Sequence, residues 1–122
     1  MTDNERKVLR AAARAQRVTG APILIHPGRD ETSPFEIIEI LSEAGADLNR
    51  TIMGHIERTI FKLEDFKRVA ESGCYVEWDL FGTERSYYEE IQKHKDSANT
   101  KIDMPSDATR MDQIAYLSLI HI

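Results

Sequence analysis

Two histidines carry the first chemical signal in this chain. His26 closes a short apolar run, Pro22-Ile23-Leu24-Ile25, and His55 closes a second, Thr51-Ile52-Met53-Gly54. Neutral imidazole is a good ligand for zinc and similar divalent ions. The two lie 29 residues apart (55 − 26), each ending a strand of successive strand–helix units, so they would stand on neighbouring tips about 5 Å apart. One metal ion could then reach both. A local hydrogen bond at each strand end is the plainer alternative, and two histidines do not fill a zinc shell.

Charged residues gather at the same places. Arg29 and Arg58 each follow one of the histidines by three residues and could bind an anionic substrate group, although an arginine there is more often a surface residue. In Tyr75-Val76-Glu77-Trp78-Asp79-Leu80 the residues Tyr75, Glu77 and Asp79 alternate with Val76, Trp78 and Leu80. A carboxylate on a buried strand needs a partner. A structural salt bridge from Asp79 to Arg58 or Arg29 is the first expectation; contact with a site is the second, because Asp79 lies near the strand's end. Cys74 reads as a small buried hydrophobe, Tyr87 and Tyr88 as packing residues of a loop, and His94 as part of a solvated charge run. There is no phosphate loop, no paired CxxC and no serine nucleophile elbow.

The elements that must position these residues follow from periodicity. Thr2-Asp3-Asn4-Glu5 is a capping box opening a helix with Val8, Leu9, Ala12 and Ala15 at helical spacing, stopped by Gly20. Residues 22–25 are too short for a helix and rich in branched side chains, so they read as a buried strand. Ser33-Pro34-Phe35-Glu36 repeats the capping signature before an apolar stripe of Ile37, Ile38, Leu41 and Ala44 that ends at Gly45. Thr51 to His55 is the second strand. A third helix carries Leu63, Phe66, Val69 and Ala70, with Gly73 after it, and Cys74 to Leu80 is the third strand. Strands alternating with helices indicate βαβ units and a parallel sheet. Beyond Gly82 a short helix over Tyr87–Lys95, a polar loop over 96–105 and a fourth helix from Asp107 to Tyr116 with Met111, Ile114 and Ala115 on one side are expected.

Composition narrows the class. The 122 residues fit one domain. Sixteen basic against 21 acidic residues give a net charge of −5, which argues against nucleic acid or an anionic membrane as partner. No apolar run is long enough to span a bilayer and no secretory signal opens the chain. A single cysteine suits a reducing compartment, so a cytoplasmic location is expected.

Ile25-His26-Pro27-Gly28-Arg29, Thr51-Ile52-Met53-Gly54-His55-Ile56-Glu57-Arg58-Thr59 and Tyr75-Val76-Glu77-Trp78-Asp79-Leu80-Phe81-Gly82 together resemble the phosphotriesterase family of the metal-dependent amidohydrolase superfamily. The resemblance runs from Glu5 to about Tyr116. It implies an α/β fold, part of a TIM (β/α)8 barrel covering about units five to seven, with one or two divalent metals, usually zinc, at the carboxyl end of the strands. It implies that His26 is the fifth-strand ligand and His55 the sixth-strand ligand, with a small molecule as the partner. The lactonase relatives carry a catalytic arginine where this chain has Leu80, so lactonase activity is not implied. One branch is linked to N-acyl taurine hydrolysis, and Arg29 or Arg58 would suit its sulfonate.

The family's His-x-His pair, its fourth-strand carboxylate and its eighth-strand aspartate have no counterpart in this sequence. A full barrel needs about 250 residues, so the chain reads as an internal fragment of a zinc-dependent hydrolase, over residues 1–116, inactive alone. Residues 117–122, Leu-Ser-Leu-Ile-His-Ile, break the amphipathic pattern and also translate CTG TCT CTT ATA CAC ATC, a transposon-end adapter sequence; a non-native tail is expected there, with a natural variant tail as the alternative. A non-catalytic α/β interaction module and, more weakly, a small flavodoxin-like domain are the competing readings of the whole.

Overall fold

The computed structural model describes residues 1–83 and 104–120. Its elements run α1 (Asp3–Thr19), β1 (Ile23–Ile25), α2 (Ser33–Glu43), a 3-10 turn (Leu48–Arg50), β2 (Thr51–Met53), a second 3-10 turn (Ile56–Arg58), α3 (Leu63–Glu71), β3 (Tyr75–Val76) and α4 (Asp107–Ile120). The strands form one parallel sheet in the order β1-β2-β3, with Ile25 opposite Met53 and Met53 opposite Val76. The alternation of helix and parallel strand is therefore present as the sequence predicts. No helix among the described residues is long and apolar enough to cross a membrane.

The helices cover one face of the sheet. Ala13 of α1, Ile37 and Leu41 of α2, Phe66 and Val69 of α3 and Leu117 of α4 pack with Ile25 and Met53 into a single core. Fully burying such a side chain stabilises by about 1.5–3 kcal/mol each. The opposite face is open: Leu24 is 68% and Tyr75 65% exposed. Trp78 continues the helix-facing side of the third strand, stacking on Phe66 with centroids 5.2 Å apart and donating from Nε1 to Gln113 of α4 at 2.9 Å.

Buried polar groups fix where the strands begin. Gln16 of α1 donates from Nε2 to the carbonyls of Asp47 and Arg50, each at 3.2 Å, and its Oε1 accepts the Asp47 amide at 2.7 Å. A buried amide satisfied on both sides is worth keeping, because leaving it unpaired costs about 1–3 kcal/mol. It pins the turn that leads into β2.

Local expectations meet three corrections. The Thr2–Glu5 capping box forms, but Ser33 does not cap α2. The cap position is Thr32, whose hydroxyl is bonded to Asp30 instead, and Ser33 and Pro34 are already inside the helix. The second and third strands are shorter than expected, because His55 leaves β2 in a left-handed conformation and only Tyr75–Val76 pair in β3. In α4, Met111 is exposed, and the inward face is Arg110, Gln113 and Leu117. Polar residues occupy that stripe because each finds a partner inside. The helix continues to Ile120, with Leu117 buried in the core. The expectations over Tyr87, Tyr88, His94 and His121 lie outside the described residues.

Candidate metal centre at the strand tips

The site is built by extending the ladder one step past each strand. Gly54 donates its amide to Ile25 at 3.0 Å and Glu77 donates to Met53 at 3.0 Å, so the three chains stay in register to their carboxyl ends. Gly54 has no room for a side chain: a Cβ there would lie 2.8 Å from Glu77 Oε2 and 3.1 Å from the Ile25 carbonyl. His55 then takes φ 52°, ψ 32°, the one non-glycine residue with positive φ among the described residues. Such a conformation costs on the order of 1 kcal/mol and persists only where surroundings impose it. Here the fully buried Ile56 and the bond from its amide to Glu77 at 3.4 Å impose it.

This turn brings the imidazoles together. The rings of His26 and His55 meet edge to face, with centroids 4.4 Å apart and an interplanar angle of 75°. Their partners assign the protons. Arg58 Nη2 lies 2.7 Å from His26 Nε2, and a guanidinium only donates, so that nitrogen carries a lone pair and the proton sits on Nδ1. His55 Nδ1 lies 2.7 and 2.8 Å from the two oxygens of Asp79, and an ionised carboxylate only accepts, so His55 also carries its proton on Nδ1. The His26 lone pair is thus met by a guanidinium, while the His55 contact to Asp79 leaves Nε2 as that ring's other nitrogen. The pKa of His26 is pushed down, first by partial burial and then by the charge of Arg58, with His55 and Arg29 adding to it.

The donor set fits a divalent cation in its chemistry. A carboxylate holding one ring nitrogen of a histidine while the other faces a metal is a recurrent arrangement that orients the ring and raises its basicity. At His26 a cationic group already sits on the lone pair. Two imidazoles are half of a tetrahedral zinc shell, and among the described residues no group of three or more His, Cys, Asp or Glu side chains converges.

Of the residues singled out from sequence, His26, His55, Arg58 and Asp79 come together. Asp79 bonds His55, a partner that the expected arginine salt bridge had not considered. The charge of Arg29 contributes to lowering the His26 pKa. Cys74 is buried, which raises its thiol pKa, and its role is packing. Sequence reasoning missed Glu57 and Arg110, both fully buried. The signal for Arg110 was the i, i+3, i+7 spacing of Arg110, Gln113 and Leu117, which an apolar-only stripe overlooks; Glu57 carried none.

A family model described as the phosphotriesterase family matches residues 1–117. The chain belongs to the phosphotriesterase family. It is 51% identical to a phosphotriesterase-related protein of Nematostella vectensis and 46% identical to an N-acetyltaurine hydrolase of Bos taurus, each over 96% of this chain and 31% of the relative. It therefore spans about a third of the length of these relatives. A mutant of a phosphotriesterase-like lactonase from Deinococcus radiodurans superposes with a TM-score of 0.74 at 27% identity, over 98% of this chain and 32% of that one. The three-stranded sheet with its helices is thus a section of a TIM barrel. The phosphotriesterase family consists of metal-dependent hydrolases.

Proposed function

We propose that this chain supplies two metal ligands, His26 and His55, to a hydrolase that cleaves an amide or ester, with N-acyl taurine compounds as the substrate class. The observation that carries the reading is the pair of adjacent imidazoles, one held at Nδ1 by Asp79 and the other met at Nε2 by Arg58. When bound, a divalent ion, zinc in this reading, would supply a water of pKa near 7 and polarise the scissile carbonyl.

The chain's own residues have separate tasks. Asp79 keeps the His55 proton on Nδ1, so that Nε2 stays a ligand. Arg58 holds His26 in the matching tautomer. With a divalent ion held at His26, the Arg58 guanidinium would be available to an anionic substrate group such as a sulfonate, which its planar fork suits. Arg29 adds positive charge beside it. A hydrolase named for N-acetyltaurine among the relatives supports the substrate class.

Titration of the chain with zinc tests the ligand assignment. One site is expected, and it should vanish in the His26→Ala/His55→Ala double variant; equal affinity in both proteins would sink the assignment. Because two imidazoles leave half of a zinc shell unfilled, the 122-residue chain alone is expected to show no turnover. Hydrolysis by purified chain carrying stoichiometric zinc would overturn that expectation.

A further inference from the structure

We infer that the buried pair Glu57–Arg110 is a positioning device that holds the chain beyond β3 so that Asp79 meets His55. Both side chains have zero exposure, and Arg110 Nε lies 3.7 Å from Glu57 Oε1. The same Glu57 oxygen accepts the amide of Leu80, the residue after Asp79, at 2.9 Å. Arg110 reaches the other side of that stretch, donating from Nη2 to the Thr83 carbonyl at 2.6 Å and from Nη1 to Asp107. Asp107 in turn accepts the Gly82 amide at 3.0 and 3.1 Å. Backbone groups of three of the four residues following Asp79 are therefore tied to Glu57, two positions after His55, or to the first turn of α4.

The energetics favour a positional role over a stabilising one. Taking two charges out of water can cost more than their attraction returns, and apolar residues of similar volume are often neutral or stabilising at such a site. Among the described residues Glu57 Oε2 and Arg110 Nε have no hydrogen-bond partner, so the pair is not optimised for its own stability. What it does secure is geometry: without it nothing in the bonds above fixes residues 80–83 against the turn that carries His55. Glu57 and Arg110 touch neither imidazole and act through Asp79. The functional meaning of this placement rests on the ligand role proposed for His55; the placement itself does not.

Nitrogen NMR of the metal-free chain, labelled with 15N-histidine, reads the placement directly. Wild type should show His55 with a downfield, hydrogen-bonded Nδ1–H, and its absence would overturn the inference. Glu57→Met/Arg110→Met removes both charges at similar volume, so the thermal midpoint should hold while the downfield signal is lost. Glu57→Gln, whose carbonyl oxygen can still accept the Leu80 amide, should keep the signal. A signal unchanged in the double variant, or lost in a folded Gln variant, overturns the inference. If the double variant does not fold, Asp107→Ala decides, since it frees Gly82 from a partly exposed site: a weakened signal supports the inference and an unchanged one overturns it. A chain that shows all these effects yet binds no zinc sinks the metal proposal and leaves this one standing.

Discussion

His26 is held by a cation and His55 by an anion. The Arg58 guanidinium sits 2.7 Å from Nε2 of the first, and the Asp79 carboxylate 2.7 Å from Nδ1 of the second. Their supports differ as well. The His26 tip is solvent-facing, and its partner approaches from the far side of the next strand's turn. The His55 tip stands on a fully buried Ile56 and Glu57, with Arg110 beneath. Two histidines that follow apolar runs and precede arginines by the same offset are thus built for different parts: one is capped on its ligand nitrogen and open to exchange, the other is braced from behind. The sign and burial of the neighbour, more than the histidine itself, decide which part each plays.

The widest gap between the tips should appear in stability. Glu57→Ala leaves the Arg110 guanidinium buried without its carboxylate, and breaking a buried pair from one side costs about 3–5 kcal/mol. The Asp107 and Thr83 bonds that Arg110 keeps place the expected loss near the lower end, about 3 kcal/mol. Arg58→Met at the His26 tip should change stability by less than about 1 kcal/mol, as is usual for solvent-facing contacts. Urea unfolding of the two variants measures both. Equal losses would mean that the tips are supported alike.

Metal affinity should separate them by sign. Asp79→Ala removes the carboxylate that orients His55, and loss of such a partner weakens metal binding about 10–100-fold. Arg58→Met removes a competitor from the His26 lone pair, so zinc should bind more tightly than to wild type. Calorimetric titration of both variants checks this, and a fall in affinity in both would show that Arg58 supports the site rather than capping it.

The fold and the ligand pair were legible in the sequence for a physical reason. Strands buried on the helix side read as short branched runs, and Gly20 and Gly45 stop helices because their positive φ suits no other residue as cheaply. A histidine after such a run is placed at a carboxyl tip by the period of the fold alone. The brace under His55 was not legible in the same way. Glu57 looks like one more acidic residue of a charged stretch, and Arg110 looks like solvent surface, because burial of a charge is decided by a partner distant in sequence. The misjudged face of α4 has the same origin. Hydrophobicity alone sets Met111, Ile114 and Ala115 on one side as the apolar face, whereas Arg110 and Gln113 turn inward to reach Glu57 and Trp78. Asp79 was assigned an arginine because opposite charges were counted and the left-handed turn of His55, which brings the imidazole into reach, leaves no mark in the sequence.

Acid should probe the brace through Asp107. The Asp107 carboxyl is held below its ordinary value, first by the Gly82 amide and then by its hydrogen bond and charge contact with Arg110. A depressed carboxylate pKa contributes stability that is present above the unfolded value, about 3.9, and is lost as pH falls through the lower folded value. Asp107 is partly exposed, so the contribution is small, and other carboxylates with the same direction of shift, Glu5 and Glu36, lie in and against α1. The difference between wild type and Asp107→Asn isolates it. Above pH 5 wild type should be the more stable of the two by a small margin, as for exposed charge contacts, and the curves should converge as pH falls below about 3.9. Because Asp107 acts on the chain beyond Asp79, the His55 Nδ1–H resonance of wild type should differ from that of Asp107→Asn above pH 5. Curves that stay parallel through the acid range would remove Asp107 from the brace and count against the placement argued for residues 80–83.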